Sequence, residues 1–325
     1  MTPASAAARF AGLGFVVALI AATFLMGSSF IAAKILLNDG FPPIVLVGWR
    51  FVVAALATLP IIAFEPAGFT PSLVPGTLGL RETALIMLIG LLQTTAVLGL
   101  LFLAMVSISA STAAILLFTN PIWVAMLSRI FLGEELHGKR IAGHVLGVVG
   151  VALAMGAKPG ELFEADALLG EFTALASALC WSCATILTKR ARLPVSAWTL
   201  SFWQMLFGAI LLLLIAYALG QHWPDETTPA QWGWFLWLAI PASTGSFGLW
   251  FLALSKGGAT RASSYLFLAP FFTVVLSALI LDAHLSWIEG LGGLLIGVAL
   301  WLVNREGPAA KSRARMDEAL AEGEP

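Results

Sequence analysis

Charge is what this sequence has least of. Only 11% of its 325 residues are Asp, Glu, Lys or Arg, against about 25% in ordinary soluble domains, too few to cover a water-facing surface of this size. One large soluble core is excluded as well, because globular cores stop growing near roughly 250–300 residues and longer chains divide into domains. The net charge of -1 offers no basic field, so no nucleic-acid partner is expected. Cysteine is nearly missing. Cys180 and Cys183 both lie inside an apolar run, which argues against a disulfide framework. Their C-x-x-C spelling lacks the second pair of ligands that zinc requires, so they read as small buried hydrophobes. No Walker-type phosphate loop occurs, which leaves direct ATP drive unsupported. Aspartate and glutamate are missing from the centres of the apolar runs, removing the usual intramembrane carboxylate for proton coupling. No catalytic residue, metal site or cofactor is expected.

What fills the chain instead is apolar: 59% of residues. A helix rises about 1.5 Å per residue and a hydrocarbon layer is about 30 Å thick, so one crossing takes roughly 20 apolar residues. Ten stretches meet or approach this: 12–37, 44–64, 84–104, 110–132, 141–155, 168–187, 198–219, 232–254, 262–281 and 287–303, the fifth and tenth being shortest. The first exceeds the apolar region of a cleaved signal peptide, about 7–15 residues, and reads as a retained membrane helix. Residues 68–82 read as a turn-rich connection, and 304–325 as a charged, solvated cytoplasmic tail. Cytoplasmic loops keep Lys and Arg. With both termini inside, Arg81, Lys139, Arg140, Lys189, Arg190, Arg192, Lys256 and Arg261 fall on the inner side, leaving Lys34, Arg50 and Lys158 at the outer side.

Sliding the sequence on itself by 149 residues lays 95–146 over 244–295 without a gap. Gly99-Leu100-x-Phe102-Leu103-Ala104 then meets Gly248-Leu249-x-Phe251-Leu252-Ala253, and Leu117-Phe118-x-x-Pro121 meets Leu266-Phe267-x-x-Pro270. Lys34 meets Lys189 at a slightly larger offset. The chain therefore divides into repeats at 12–156 and 168–303 of five helices each. Five is odd, so the second copy enters the membrane from the opposite side. Inverted repeats characterise secondary transporters, whose halves exchange shapes around a midplane site.

Proline lacks a backbone donor, so Pro121 and Pro270 free the carbonyls of Leu117 and Leu266 and mark candidate hinges. Polar side chains at membrane depth are costly and face the bundle interior. Ser28, Ser29, Gln93, Thr94, Asn120 and Ser243, beside Trp123, Trp181 and Tyr265, form a candidate cavity for an amphipathic solute. Serine and threonine also serve close helix packing, so Gln93, Asn120 and Tyr265 carry this reading furthest. Arg50 lies about 10 Å along its helix from Pro43. A central arginine costs about 2.5–3.5 kcal/mol on insertion scales, and Arg50 is read as snorkelling outward to anchor the helix end, with substrate-carboxylate binding as its alternative. Lys34 and Lys189 are likewise read as reaching headgroups. His144 is read as structural.

The same residues resemble the drug/metabolite transporter superfamily, in particular its EamA-type ten-helix members. The resemblance rests on Gly27-Ser28-Ser29-Phe30 with Lys34, on Arg50-Phe51, on the proline-centred fourth helix ending Phe131-Leu132-Gly133-Glu134, and on the glycine-spaced Gly143, Gly147 and Gly150. Met26 stands where that family often has Trp, while the second repeat carries Trp181-Ser182; Glu134 in the first copy becomes Ala283 in the second, with Asp282 beside it. The resemblance implies an all-α membrane fold of two inverted five-helix repeats. It implies a transporter of small metabolites, often amino acids or toxic compounds moving outward.

The expectation is therefore a secondary transporter in the plasma membrane, the bacterial inner membrane, exporting an amino acid-like or amphipathic metabolite by alternating access. Its partners would be the small-molecule substrate and membrane lipid; the coupling ion is left open, and a homodimer is compatible with it. The alternative is a membrane-embedded enzyme acting on a lipid-linked substrate. Its one candidate cluster, Glu134, Glu135 and His137 beside Lys139 and Arg140, reads as a solvated helix end.

Overall fold

The computed structural model describes residues 3–76, 78–104, 107–108, 110–156, 167–280 and 286–304. Within them the chain forms ten long helices: α1 (Pro3–Asn38), α2 (Pro43–Ala63), α3 (Leu80–Ala104), α4 (Thr112–Phe131), α5 (Gly138–Ala154), α6 (Leu168–Ala191), α7 (Ala197–Ala218), α8 (Pro229–Lys256), α9 (Ala259–Ile280) and α10 (Trp287–Asn304). All but α5 have at least 18 residues and enough apolar character to cross a bilayer. Helix α5 has 17 residues, still within the range a span can use. The charged tail from residue 305, Lys158, and the Asp282–Ala283 position lie outside the described residues.

Local chemistry sets the ends. Pro43 and Pro229 open α2 and α8, where a missing N–H costs nothing. Thr228 and Gln231 cap α8 reciprocally, with Thr228 Oγ1 accepting from the Gln231 N–H and Gln231 Oε1 from the Thr228 N–H. Helix α1 closes at Gly40, whose φ of 90° is left-handed; the N–H groups of Gly40 and Phe41 then return to the carbonyls of Leu37 and Leu36. The 68–82 connection is more structured than its composition suggests. Phe69–Leu73 forms a short helix, and the carbonyls of Ser72 and Leu73 accept from Thr199 Oγ1 and Trp203 Nε1 of α7, both at 2.8 Å.

The repeats interlock instead of folding side by side. The first helix of each packs on the third and fourth helices of the other, α1 on α8 and α9 and α6 on α3 and α4, while α2 pairs with α7 and α5 with α10. Small residues permit these approaches. A Cβ on Gly292 would come within 2.3 Å of the Ala154 backbone nitrogen in α5, and one on Gly27 within 2.6 Å of the Ala269 carbonyl oxygen in α9. Large apolar side chains such as Leu214, Leu294 and Trp301 remain outside, each more than half exposed, as expected of surfaces that meet lipid tails.

Candidate functional site

Helices α3 and α8 are each interrupted at mid-length by a wide, π-type turn, Leu91–Ala96 and Ile240–Gly245. The two turns stand 149 residues apart, at matching positions of the repeats. Such turns carry one residue more than α winding allows and commonly mark functional sites. Each grips the second helix of the opposite repeat in the same way. Thr95 Oγ1 donates to the Gly208 carbonyl of α7 at 3.0 Å, and Thr244 Oγ1 donates to the Ala54 carbonyl of α2 at 2.7 Å. One residue earlier, Thr94 Oγ1 donates to Gln204 Oε1 at 2.7 Å, and Ser243 Oγ accepts from Arg50 Nε at 2.6 Å. Arg50 and Gln204, like Ala54 and Gly208, correspond when α2 is laid on α7.

This corrects the reading of Arg50 as an outward anchor. Its side chain is 9% exposed and turned inward to α8, with its guanidinium 4.9 Å from the centre of the Phe51 ring. Burying this charge is costly, and the serine hydroxyl supplied across the repeat boundary offsets part of that cost by satisfying Nε. Lys189 is corrected likewise. Its half-buried ammonium turns to the protein, where Nζ donates to the carbonyls of Leu254 and Gly257 at the end of α8, at 2.8 and 2.5 Å. The matching Lys34 is exposed.

The end of α4 supplies the companion contact. Glu134, read from sequence as part of a solvated helix end, accepts from the N–H groups of Ala259 and Thr260 at 2.7 and 3.1 Å. A carboxylate there satisfies two orphan donors of α9 and meets the positive end of its dipole. Ser128 and Thr260 hydroxyls add a 2.5 Å bond between α4 and α9. The α8–α9 turn is therefore fastened twice, by an ammonium on its last carbonyls and a carboxylate on its first amides. Glu135 pairs instead with His137 at 3.3 Å.

The remaining predicted residues are distributed through the interior. Asn120 Nδ2 donates to Ser182 Oγ at 2.9 Å and to the Ala178 carbonyl at 3.3 Å, tying α4 to α6. Ser28 Oγ donates to the Leu25 carbonyl and accepts from Trp237 Nε1, and Ser29 Oγ donates to the Met26 carbonyl. Trp123 donates to Thr119 Oγ1 at 3.1 Å. Tyr265 meets Phe15 edge-on at 6.2 Å. Gln93 and Trp181 are buried. Helix α4 breaks at Phe118–Thr119, just before Pro121, and α9 tightens to 3₁₀ winding at Tyr265–Phe267, just before Pro270. Two surface cavities, one apolar between α3 and α7 and one of about 310 Å³ beside Lys189 and Arg192, touch none of the residues of the expected substrate cavity. His144 is structural in its contacts, with Nδ1 2.7 Å from the Arg140 carbonyl oxygen and its ring against Phe267. Among the described residues no cluster of His, Cys, Asp or Glu could hold a metal ion.

Interlocked halves with matched contacts at a fixed offset are the product of a duplicated sequence unit, and one such unit is identifiable. The EamA-like transporter family matches residues 13–156 and again 168–305. This chain belongs to that family. EamA-like relatives include the uncharacterized transporter YoaV of Bacillus subtilis, 24% identical over 87% of this chain and 94% of its own. A probable amino-acid metabolite efflux pump of Escherichia coli is 27% identical over 85% of this chain and 90% of its own. An uncharacterized transporter of Archaeoglobus fulgidus is 25% identical over 87% and 95%. One solved structure, 19% identical, shares the fold with a TM-score of 0.74 over 91% of this chain and 97% of its own. The protein is a multi-pass membrane transporter, and these EamA-like relatives are named as transporters rather than enzymes.

Sequence reasoning missed the Glu134 cap, the Arg50–Ser243 bond and the burial of Glu171, 4% exposed in the first turn of α6. A signal for the second was available, because an offset of 154 lays Arg50 on Gln204 while 149 lays Thr94 on Ser243.

Proposed function

We propose that the chain is a secondary transporter of the plasma membrane that exports a small amino acid-like or amphipathic metabolite by alternating access, with both termini in the cytoplasm. The observation that carries this reading is the pair of wide turns in α3 and α8, which stand at matching positions of two interlocked repeats and grip α7 and α2 in the same way. At the end where α4, α6 and α8 finish, Lys189 and Glu134 fasten the α8–α9 turn. At the opposite end the equivalent lysine, Lys34, lies exposed. Loop charge supports a cytoplasmic position for the fastened end. Exchange of the two repeat shapes would release this end, with bending at Pro121 and Pro270.

The name of one relative, the probable amino-acid metabolite efflux pump, supports outward movement of an amino acid-type metabolite. The deciding experiment compares metabolites inside and outside cells that overproduce or lack the chain. A compound that accumulates outside only on overproduction, and that the purified protein moves in proteoliposomes, is the expected result. Failure of any compound to move in either setting rejects the proposal.

A further inference from the structure

Buried polar atoms in folded proteins nearly always find a partner, and among the described residues ten buried side-chain atoms do not. Neither end of the Gln93 amide has one, nor does Asn120 Oδ1, nor the Trp181 indole N–H. These side chains are 3%, 0% and 9% exposed.

The three belong to one layer. Helices α3 and α6 run antiparallel, with Gly170 against the Ala104 carbonyl and Ser177 Oγ donating to the Val97 carbonyl at 2.7 Å. One further turn along each helix sets Trp181 level with Gln93. Asn120 reaches the same level, since its amide bonds Ser182 and the Ala178 carbonyl on that turn of α6. Both neighbours of α6 depart from regular winding there: Gln93 sits within the wide turn of α3, and Asn120 follows the break in α4. Irregular backbone at membrane depth is a feature of transporter binding sites.

The matching layer of the other half is apolar. Gln93 corresponds to Ala242, Asn120 to Ala269 and Trp181 to Met26, and all three are buried. The duplicated scaffold therefore does not require polar groups at these positions.

We propose that Gln93, Asn120 and Trp181 form a substrate subsite, confined to the α3–α4–α6 half, that receives an uncharged head group carrying both a donor and an acceptor, as an amide does. The inference rests on the transporter reading above. Its chemistry follows from the donor count: Trp181 supplies an N–H, Asn120 an acceptor oxygen, and Gln93 one of each. No Asp, Glu, Lys or Arg lies within seven residues of any of the three along its own helix. A carboxylate or ammonium would find no counter-charge on these three helix segments and would be disfavoured there.

The test uses the full-length protein in lipid nanodiscs, with equilibrium dialysis of radiolabelled benzamide and benzoate, which share a ring and differ in head group. Saturable benzamide binding is expected, with benzoate at least about tenfold weaker. Gln93→Leu should lower benzamide affinity about tenfold or more while leaving the melting midpoint unchanged or raised, because unpaired polar atoms are removed. Trp181→Phe deletes one donor and should cost roughly threefold, which keeps the proposal testable if the first variant does not fold. Equal binding of the two probes, no saturable benzamide binding, or full affinity in both variants overturns it. A protein that exports a metabolite yet fails these binding tests remains a transporter and loses only this subsite.

Discussion

The Arg50–Ser243 and Thr94–Gln204 bonds occupy equivalent places in two copies of one design, and only the first contains a charge. The neutral version shows that the architecture needs a hydrogen bond across the repeats and does not need an ion. Arginine in α2 thus exceeds what joining the halves demands, and its burial makes the α2–α8 contact the more sensitive of the two. The ends of the bundle repeat this lesson. Glu134 and Lys189 fasten one turn between helices, whereas Lys34 is exposed.

The sharpest break in the first comparison comes from removing the partner hydroxyls. Ser243→Ala leaves a buried guanidinium Nε without its acceptor and should cost about 3 kcal/mol in thermal unfolding, since unpaired charged groups are penalised most. Thr94→Val strips the corresponding neutral bond and should cost about 1–2 kcal/mol. Equal losses would mean that the charge adds nothing. Next comes the fastened end, where Glu134→Ala frees two amide donors of α9 and should cost about 1 kcal/mol. Hydrogen exchange at Ala259 and Thr260 should quicken in that variant; unchanged exchange there would detach Glu134 from the closure. Smallest is the lysine pair. Lys189→Met should lower the melting midpoint by a few degrees, while Lys34→Met leaves it unchanged, and a reversed order would undo the asymmetry of the ends.

Much of this architecture was written in local pattern. Ten apolar runs of bilayer length and the 149-residue offset were enough to expect two inverted five-helix repeats, because lipid demands long apolar helices wherever the chain crosses it. Side-chain partnerships were not legible in the same way. Arg50 taken alone looks like a snorkelling residue, and its true acceptor lies 193 residues away, set by which repeat folds against which. Glu134 stands among charges and looks solvated until α9 brings its N-terminus there. The wide turns leave no periodic trace, because one added residue is indistinguishable from ordinary sequence. The Phe69–Leu73 helix hides among turn-forming residues and depends on Ser72 and Leu73 meeting α7.

The extra residue in the wide turns of α3 and α8 has a mechanical corollary. Rewinding either one to regular α geometry would advance the remainder of its helix by one residue, a rotation of about 100° and a slide of about 1.5 Å. The faces of Val97–Ala104 and Ser246–Lys256 would then point to new neighbours while the segments before each turn stayed in place. A membrane helix so equipped can redirect half its length like a key turned in a fixed lock.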